Sequence, residues 1–369
     1  MTHDTPATTA PGPGASVAPA KKPADSPVPV TLAQLGCGYW GPNLIRNFSA
    51  LPGCHVKYVV DSSADRRRFA ESSFPKTTAI EAHDAVWEDP DVNGVIIATP
   101  AGSHFSLARR ALEAGKHVFV EKPLATTVAE VDELGQLAAA RGLVVMVGHT
   151  FIYNSAVRYI RQLIESGQLG DIRYIYSQRL NLGRIRSDID ALWNFAPHDI
   201  SIIQYWLGDP EPRAVSRLGM AYMQDGIDDV VFLNVVYPNK VIASIHVSWL
   251  DPQKVRKMVV VGSKKMVVYD DVAEDKIAIC DKGIDRKAIL GENMDFDRPP
   301  AVQFNYRSGD ILLPQVNFRE PLRVEAEHFL ECVRLGRTPI TGIAHARQVV
   351  GILERAKPFD AREGGVANT

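Results

Sequence analysis

The stretch Gly36-Cys37-Gly38-Tyr39-Trp40-Gly41 constrains this chain more than any other. It matches G-x-G-x-x-G, a pattern that is weak alone and gains weight from its surroundings. An apolar run over residues 28–35 leads straight into Gly36, and a helical pattern over 43–51 follows. A second apolar run, 55–60, ends on Asp61. In that setting Gly36 allows the tight turn, Gly38 lets backbone approach a pyrophosphate, and Gly41 lets helix pack closely on strand. The helix start offers free N–H groups and a positive dipole end to phosphates. Tyr39 and Trp40 share the loop and join it as candidate cofactor contacts. Asp61, about 20 residues on, is placed to accept bonds from both ribose hydroxyls of NAD and to repel a 2′-phosphate, which favours NAD over NADP. Arg66, Arg67 and Arg68 lie nearby and read as a solvated helix face, with some capacity to soften that preference.

Three more short apolar runs continue the pattern. Residues 94–98 end at Thr99-Pro100, 117–120 at Glu121-Lys122-Pro123, and 143–147 at Gly148-His149. Helical patterns separate the runs at 64–72, at 103–114 with Ser103 as N-cap and Gly115 as stop, and at 127–141 before Gly142. Strands that do not alternate are buried on both faces, as in a parallel sheet. The expectation is an α/β fold: a doubly wound sheet with its ligand beyond the carboxyl ends of the strands, where all these polar ends collect.

The character changes after Phe151. A helix is expected over 154–166, ending at Gly167, and β pattern begins at Ile172. Runs 229–237 and 240–250 flank Pro238-Asn239, and runs 256–261 and 265–269 flank Gly262-Ser263. These read as an antiparallel open sheet with one covered face. Residues 323–335 and 345–356 read as closing helices, and 283–319 as loop-rich. The division expected is a nucleotide-binding domain over 31–150 and a substrate and oligomerisation domain over 151–357, between tails 1–30 and 358–369. The first 30 residues are rich in Pro, Ala, Thr and Ser, too poor in apolar surface to offset ordering entropy, and read as a disordered extension.

Composition narrows the partners. A formal net charge of -2 gives no footprint for nucleic acid. No apolar run reaches the ~20 residues of a membrane helix. Cys37, Cys54, Cys280 and Cys332 are far apart and form no zinc-spaced cluster, so no metal is expected, and free thiols suit a reducing cytoplasm.

The run from Ala111 through Glu121-Lys122-Pro123, with Ala98-Thr99-Pro100 and His104, resembles the glucose–fructose oxidoreductase / inositol dehydrogenase / MocA (Gfo/Idh/MocA) family. The resemblance covers roughly residues 31–357 and keeps the family's motif order. It implies a C-terminal sheet that pairs between subunits, giving homodimers or homotetramers. It places Thr99, Pro100, His104, Glu121 and Lys122 around the cofactor, Lys122 beside the nicotinamide, and a cis bond before Pro123. The family's catalytic histidine falls at His198, in Trp193-Asn194-Phe195-Ala196-Pro197-His198-Asp199. Many relatives carry an aspartate where this chain has Asn194, which cannot serve as a base, so His198 must act with Lys122. Asn181-Leu182-Gly183-Arg184-Ile185-Arg186 with the His198 stretch resembles enzymes of surface-polysaccharide pathways that oxidise the 3-hydroxyl of UDP-N-acetylglucosamine or its uronic acid.

Under that reading His198 takes the hydroxyl proton while Lys122 polarises the same oxygen, and the sequence leaves the reverse assignment open. Candidate sugar contacts are Tyr153, Asn154, Asn194 and His198 itself. Arg179, Arg184 and Arg186 are candidates for a diphosphate or sugar carboxylate, which suit Arg's planar fork. His149 reads as a structural or supporting residue, Trp193 and Trp249 as core or pocket wall, and His198 as a histidine ahead of a helix. Three other readings stand: a dehydrogenase of a free polyol such as inositol, a non-catalytic NAD(P) sensor, and reduction of a keto-sugar with NADPH, which Asp61 disfavours.

Overall fold

Short Val- and Ile-rich segments with no polar alternation can satisfy both faces only inside a layered sheet. The computed structural model, which describes residues 28–287 and 303–357, builds this sheet from β1 (Val30–Leu35), β2 (Cys54–Val60), β3 (Thr78–Ile80), β4 (Gly94–Ile97), β5 (His117–Glu121) and β6 (Val145–Gly148). The order is β3-β2-β1-β4-β5-β6, and every pairing is parallel. Strand order reverses between β1 and β4, the switch point where such sheets bind ligands. The connecting helices are α1 (Gly41–Ser49), α2 (Ala64–Ser73), α3 (Asp84–Glu88), α4 (His104–Glu113) and α5 (Val128–Arg141). Thr127 starts α5 with a full capping box, its hydroxyl accepting from the Glu130 amide while Glu130 reaches back. Gly142 ends that helix in the left-handed region. Ser103 stands at the N-cap of α4 as expected, but its hydroxyl bonds the Pro100 carbonyl instead of a helix amide.

After α6 (Ser155–Glu165) the second sheet takes over. It is built from β7 (Ile172–Leu182), β8 (Ala214–Met220), β9 (Val230–Val236), β10 (Ile242–Ser248), β11 (Leu250–Gly262), β12 (Met266–Asp270), β13 (Ile277–Lys287) and β14 (Gln303–Leu312). Their order is β14-β13-β12-β11-β7-β10-β9-β8, antiparallel except for β7 with β10. One face packs on α6 and on α7 (Ala191–Leu207). The other leaves Tyr174, Tyr176, Leu218, Met220, Phe232 and Ile242 exposed.

Within the stretch expected to be loop-rich, residues 283–287 and 303–312 are strand, because β13 and β14 pair from Ile279↔Leu312 outward, while 288–302 fall outside the described residues. This hairpin lies at the sheet edge and leaves Ile284, Phe304, Tyr306 and Ile311 exposed, so no covered face imposes the alternation that would reveal it. The tails at 1–27 and 358–369 fall outside the described residues.

The two closing helices, α8 (Pro321–Leu335) and α9 (Ile343–Arg355), return to the first sheet. Phe329 of α8 meets Phe48 and Phe119 edge-on, with ring centroids 6.0 and 5.6 Å apart. Full burial of such a ring contributes about 1.5–3 kcal/mol. Leu322, Ala326 and Leu330 join the same core. The chain therefore sews its end back onto its beginning.

Candidate active site

The glycine loop fits a close-lying pyrophosphate. Gly36 has φ +92°, and a Cβ there would stand 2.6 Å from the Ala98 carbonyl oxygen. At Gly41 a Cβ would meet the Gly36 carbonyl oxygen at 2.8 Å. Gly38 has open space apart from Arg66 Nη1 at 3.6 Å from an added Cβ. Tyr39 and Trp40 are exposed on this rim. Asp61 is buried at the end of β2, where its carboxylate accepts from the Cys37 amide at 2.8 Å and the Ser63 amide at 2.9 Å. That clamps the loop to the strand end and leaves lone pairs for a ribose. Arg66 Nη1 stands 3.6 Å from the same carboxylate. Arg67 instead bonds the Asp61 and Ser62 carbonyls and Glu81, and Arg68 pairs with Asp65. Of the three arginines, only Arg66 faces the cofactor edge.

His104, the first residue of α4, is buried. Its ring nitrogens lie 2.8 Å from the Thr99 carbonyl and 2.7 Å from the Pro123 carbonyl. It ties the end of β4 to the turn after β5. Thr99 Oγ1 shares a bond with Ser103. The Lys122–Pro123 peptide is cis.

Lys122 Nζ donates to the Asn194 backbone carbonyl at 2.9 Å. Asn194 lies one turn before His198 on α7, so this single bond brings the lysine to the histidine's face of the helix. Pro197 lies inside α7 and has no N–H to give the Trp193 carbonyl, which loosens that turn. The Pro also obscures α7 in the sequence: His198 lies within a helix, not ahead of one. Asp190 caps it by accepting from the Trp193 amide.

His198 packs edge-on against Phe151, with centroids 5.1 Å apart, and its Nδ1 is buried without a partner. Burial, then the positive charges of Lys122, Arg179 and Arg256, push its pKa well below the ordinary histidine value. The imidazole is thus held in its neutral form. Burial likewise lowers Lys122, against the pull of Glu121, with Arg179 and Arg186 adding to the fall. Glu121 moves upward through burial, with Lys122 and a bond from Trp40 opposing it.

The remaining candidates divide. Arg179 is buried and forms a two-point pair with Asp199, at 2.8 and 3.1 Å, with its guanidinium 4.6 Å from the Phe151 ring centroid. Arg179 and His198 both pack on the Phe151 ring, and the Asp199 carboxylate turns toward Arg179. Arg186 is held by Asp188 at 2.8 and 2.5 Å. Arg184 is exposed and has no ion-pair partner among the described residues. Tyr153 is buried, its hydroxyl bonded to His328 at 2.8 Å and Thr341 at 3.3 Å. Asn154 caps α6 through the Ala156 amide and lies 3.4 Å from Asp271. The polar atoms of these two residues thus engage the interior. Trp249 is core, and Trp193 lines a cleft of about 390 Å³ with Pro123, Thr126, Asp188, Asp190 and Ile227. Its lining includes Pro123, the residue after Lys122, and Trp193, the residue before Asn194. Phe151, Arg256 and Asp209 carry no motif, and only the folded chain assigns them to the site's surroundings.

Two family models match the chain. Residues 30–149 match the oxidoreductase family's NAD-binding Rossmann fold, and 157–268 match the GFO/IDH/MocA C-terminal domain. The chain belongs to the Gfo/Idh/MocA oxidoreductase family. Among family relatives, dTDP-3,4-didehydro-2,6-dideoxy-alpha-D-glucose 3-reductase from Streptomyces violaceoruber is 38% identical over 169 residues, 44% of this chain and 49% of that one. UDP-N-acetylglucosamine 3-dehydrogenase from Acidithiobacillus ferrooxidans is 30% identical over 200 residues, 53% of this chain and 59% of that one. The chain thus matches about half the length of each. A solved structure of the A. ferrooxidans dehydrogenase superposes with a TM-score of 0.72 at 24% identity, covering 88% of this chain and 95% of the other, and shares the family fold. Among the described residues no helix is long and apolar enough to cross a membrane, and no cluster of His, Cys, Asp and Glu could hold a metal.

Proposed function

We propose that the protein oxidises the C3 hydroxyl of a UDP-N-acetylhexosamine or its uronic acid to a 3-keto sugar, with NAD as acceptor. The observation that carries this is the Lys122 bond to the Asn194 carbonyl, which joins the lysine to the His198 turn at the cofactor edge of the first sheet. His198, neutral and half-buried, accepts the hydroxyl proton. Lys122 donates a hydrogen bond to the same oxygen and steadies alkoxide character as it develops. Bound NAD supplies the hydride acceptor. The buried Asp61 carboxylate after the end of β2 supports NAD over NADP in this reading. Two relatives named for chemistry at C3 of nucleotide sugars support the substrate class.

A second reading, a free sugar or polyol, is favoured by one observation. Of the three arginines expected to meet a diphosphate, Arg179 and Arg186 are each held by a carboxylate, and Arg184 has none among the described residues. We also infer a reducing cytoplasmic setting, in keeping with four free cysteines, and a homodimer or homotetramer built on the exposed apolar face of the second sheet.

The test is NADH formation from UDP-N-acetylglucosamine, its uronic acid, myo-inositol and glucose, with a ketone trap, in parallel with NADP. Lys122→Ala and His198→Ala are each expected to lose about 10²–10⁴-fold in turnover while still binding NAD. Turnover of inositol alone would replace the nucleotide-sugar reading with the polyol reading. NAD binding with no turnover across the panel would leave a sensor.

A further inference from the structure

The mechanism sets one proton free at each oxidation, at a Lys122–His198 pair whose side chains are both half-buried. The β5–β6 register pairs Glu121 with Gly148, so the next residues, Lys122 and His149, leave the sheet side by side. His149 is buried, and its Nδ1 has no partner. Its ring meets His345 edge to face, with centroids 5.3 Å apart at 79°. His345 lies in the first turn of α9, which is tied to β6 by the Val147 amide bonding the Thr341 carbonyl at 2.9 Å. His345 is itself buried, with Nε2 unpartnered and Nδ1 2.7 Å from Asp209. The Asp209 side chain is 37% exposed.

Asp209 has φ +54°, a left-handed conformation that a residue other than glycine adopts at a cost. It follows Gly208, the C-cap of α7, so the helix that carries His198 also delivers Asp209 to the surface. Four elements thus converge on one file: the end of β5, the end of β6, the start of α9 and the end of α7. Two buried imidazoles in contact, each with an orphaned nitrogen, are a poor packing choice, since buried polar atoms are nearly always satisfied.

We propose that His149, His345 and Asp209 form a proton outlet from the Lys122–His198 site to solvent. A proton released at that site is taken by one nitrogen of His149 as the proton on its other nitrogen moves to His345. The Nδ1 proton of His345 passes to the Asp209 carboxylate and then to a solvent base. Each group gives one proton as it gains one, so both imidazoles end neutral with their tautomers exchanged. No bond to carbon changes and nothing is oxidised. Burial, with His345 and Lys122 nearby, keeps His149 neutral between transfers. The outlet rests on the dehydrogenase reading, since it needs a proton to carry.

The test is a stopped-flow experiment on the full chain with NAD and the substrate panel in weak buffer, following NADH absorbance and a pH indicator together. The wild type is expected to release protons in step with NADH. In His345→Gln and Asp209→Asn the first NADH forms at the wild-type rate, while proton release lags several-fold. Their kcat falls several-fold with KM unchanged, and added imidazole restores it. Asn keeps the left-handed turn accessible, which separates charge from folding. Proton release that stays in step in both variants overturns the outlet, as does a joint fall of hydride transfer and proton release that imidazole does not rescue. A wild type that makes no NADH from the panel defeats the dehydrogenase reading, and histidine ¹⁵N shifts of the NAD-bound protein then decide the outlet. Asp209→Asn must shift the tautomer balance of His149 as well as that of His345, and an unmoved His149 signal overturns the coupling.

Discussion

Replacing Asp199 by Asn should be among the most destabilising conservative changes in this protein. Asp199 and Arg179 are 2% and 3% exposed in their side chains, and two charge-assisted bonds join them. Asn keeps one oxygen and loses the charge, leaving a guanidinium in the interior whose Nη1 already lacks a partner. Breaking one half of a buried pair costs about 3–5 kcal/mol, since the remaining charge keeps its desolvation penalty and loses its attraction. The retained acceptor and the Phe151 ring over the cation place the expected loss near the lower end, about 3 kcal/mol. Urea unfolding followed by tryptophan fluorescence reads it. The double variant Arg179→Met with Asp199→Leu should recover most of the loss, because an apolar pair of similar volume replaces two desolvated charges. A single-variant loss below about 1 kcal/mol, the range of an exposed pair, would refute the argument, as would simple additivity in the double variant.

Three further outcomes are expected. The kcat/KM profile should rise through an acid limb below pH 6.5, since His198 must be neutral to act and its pKa is depressed, and fall on an alkaline limb below pH 10.5, where the lowered Lys122 loses its proton; an acid limb above 6.5 would remove His198 as the base. Gly36→Ala combines a left-handed backbone with a clash on the Ala98 carbonyl, a strain of about 1–3 kcal/mol, and fluorescence titration should show NAD affinity down about tenfold or more. Thr127→Ala removes the α5 cap and should lower unfolding free energy by about 1 kcal/mol with kcat unchanged.

The sequence was most legible where local physics decides the structure. Gly36 and Gly41 sit where a Cβ would clash with backbone, as their spacing implies, Asp61 follows the end of β2, and Thr127 and Gly142 bound their helix as propensity alone requires. Legibility failed where long-range contact decides. Strand β3 is three residues long, too short for any period to register. Helix α7 holds a proline and a run of apolar residues on all sides because it is enclosed by the second sheet and α9. Arg179 and Arg186 look alike in sequence as cationic side chains, and only their partners separate a buried brace from a half-exposed one. Tyr153 and Asn154 face the expected edge by position, yet α8 and the α6 start claim their polar atoms.

The Phe48–Phe119–Phe329 cluster also bears on how the protein is made. The first sheet is synthesised early, but one wall of its core lies near residue 329. At about 5–20 residues per second, a ribosome takes roughly 10–40 s to travel from Phe119 to Phe329. For that interval the nascent first sheet exposes an aromatic surface that nothing yet made can cover. Truncation before α8 would make that exposure permanent.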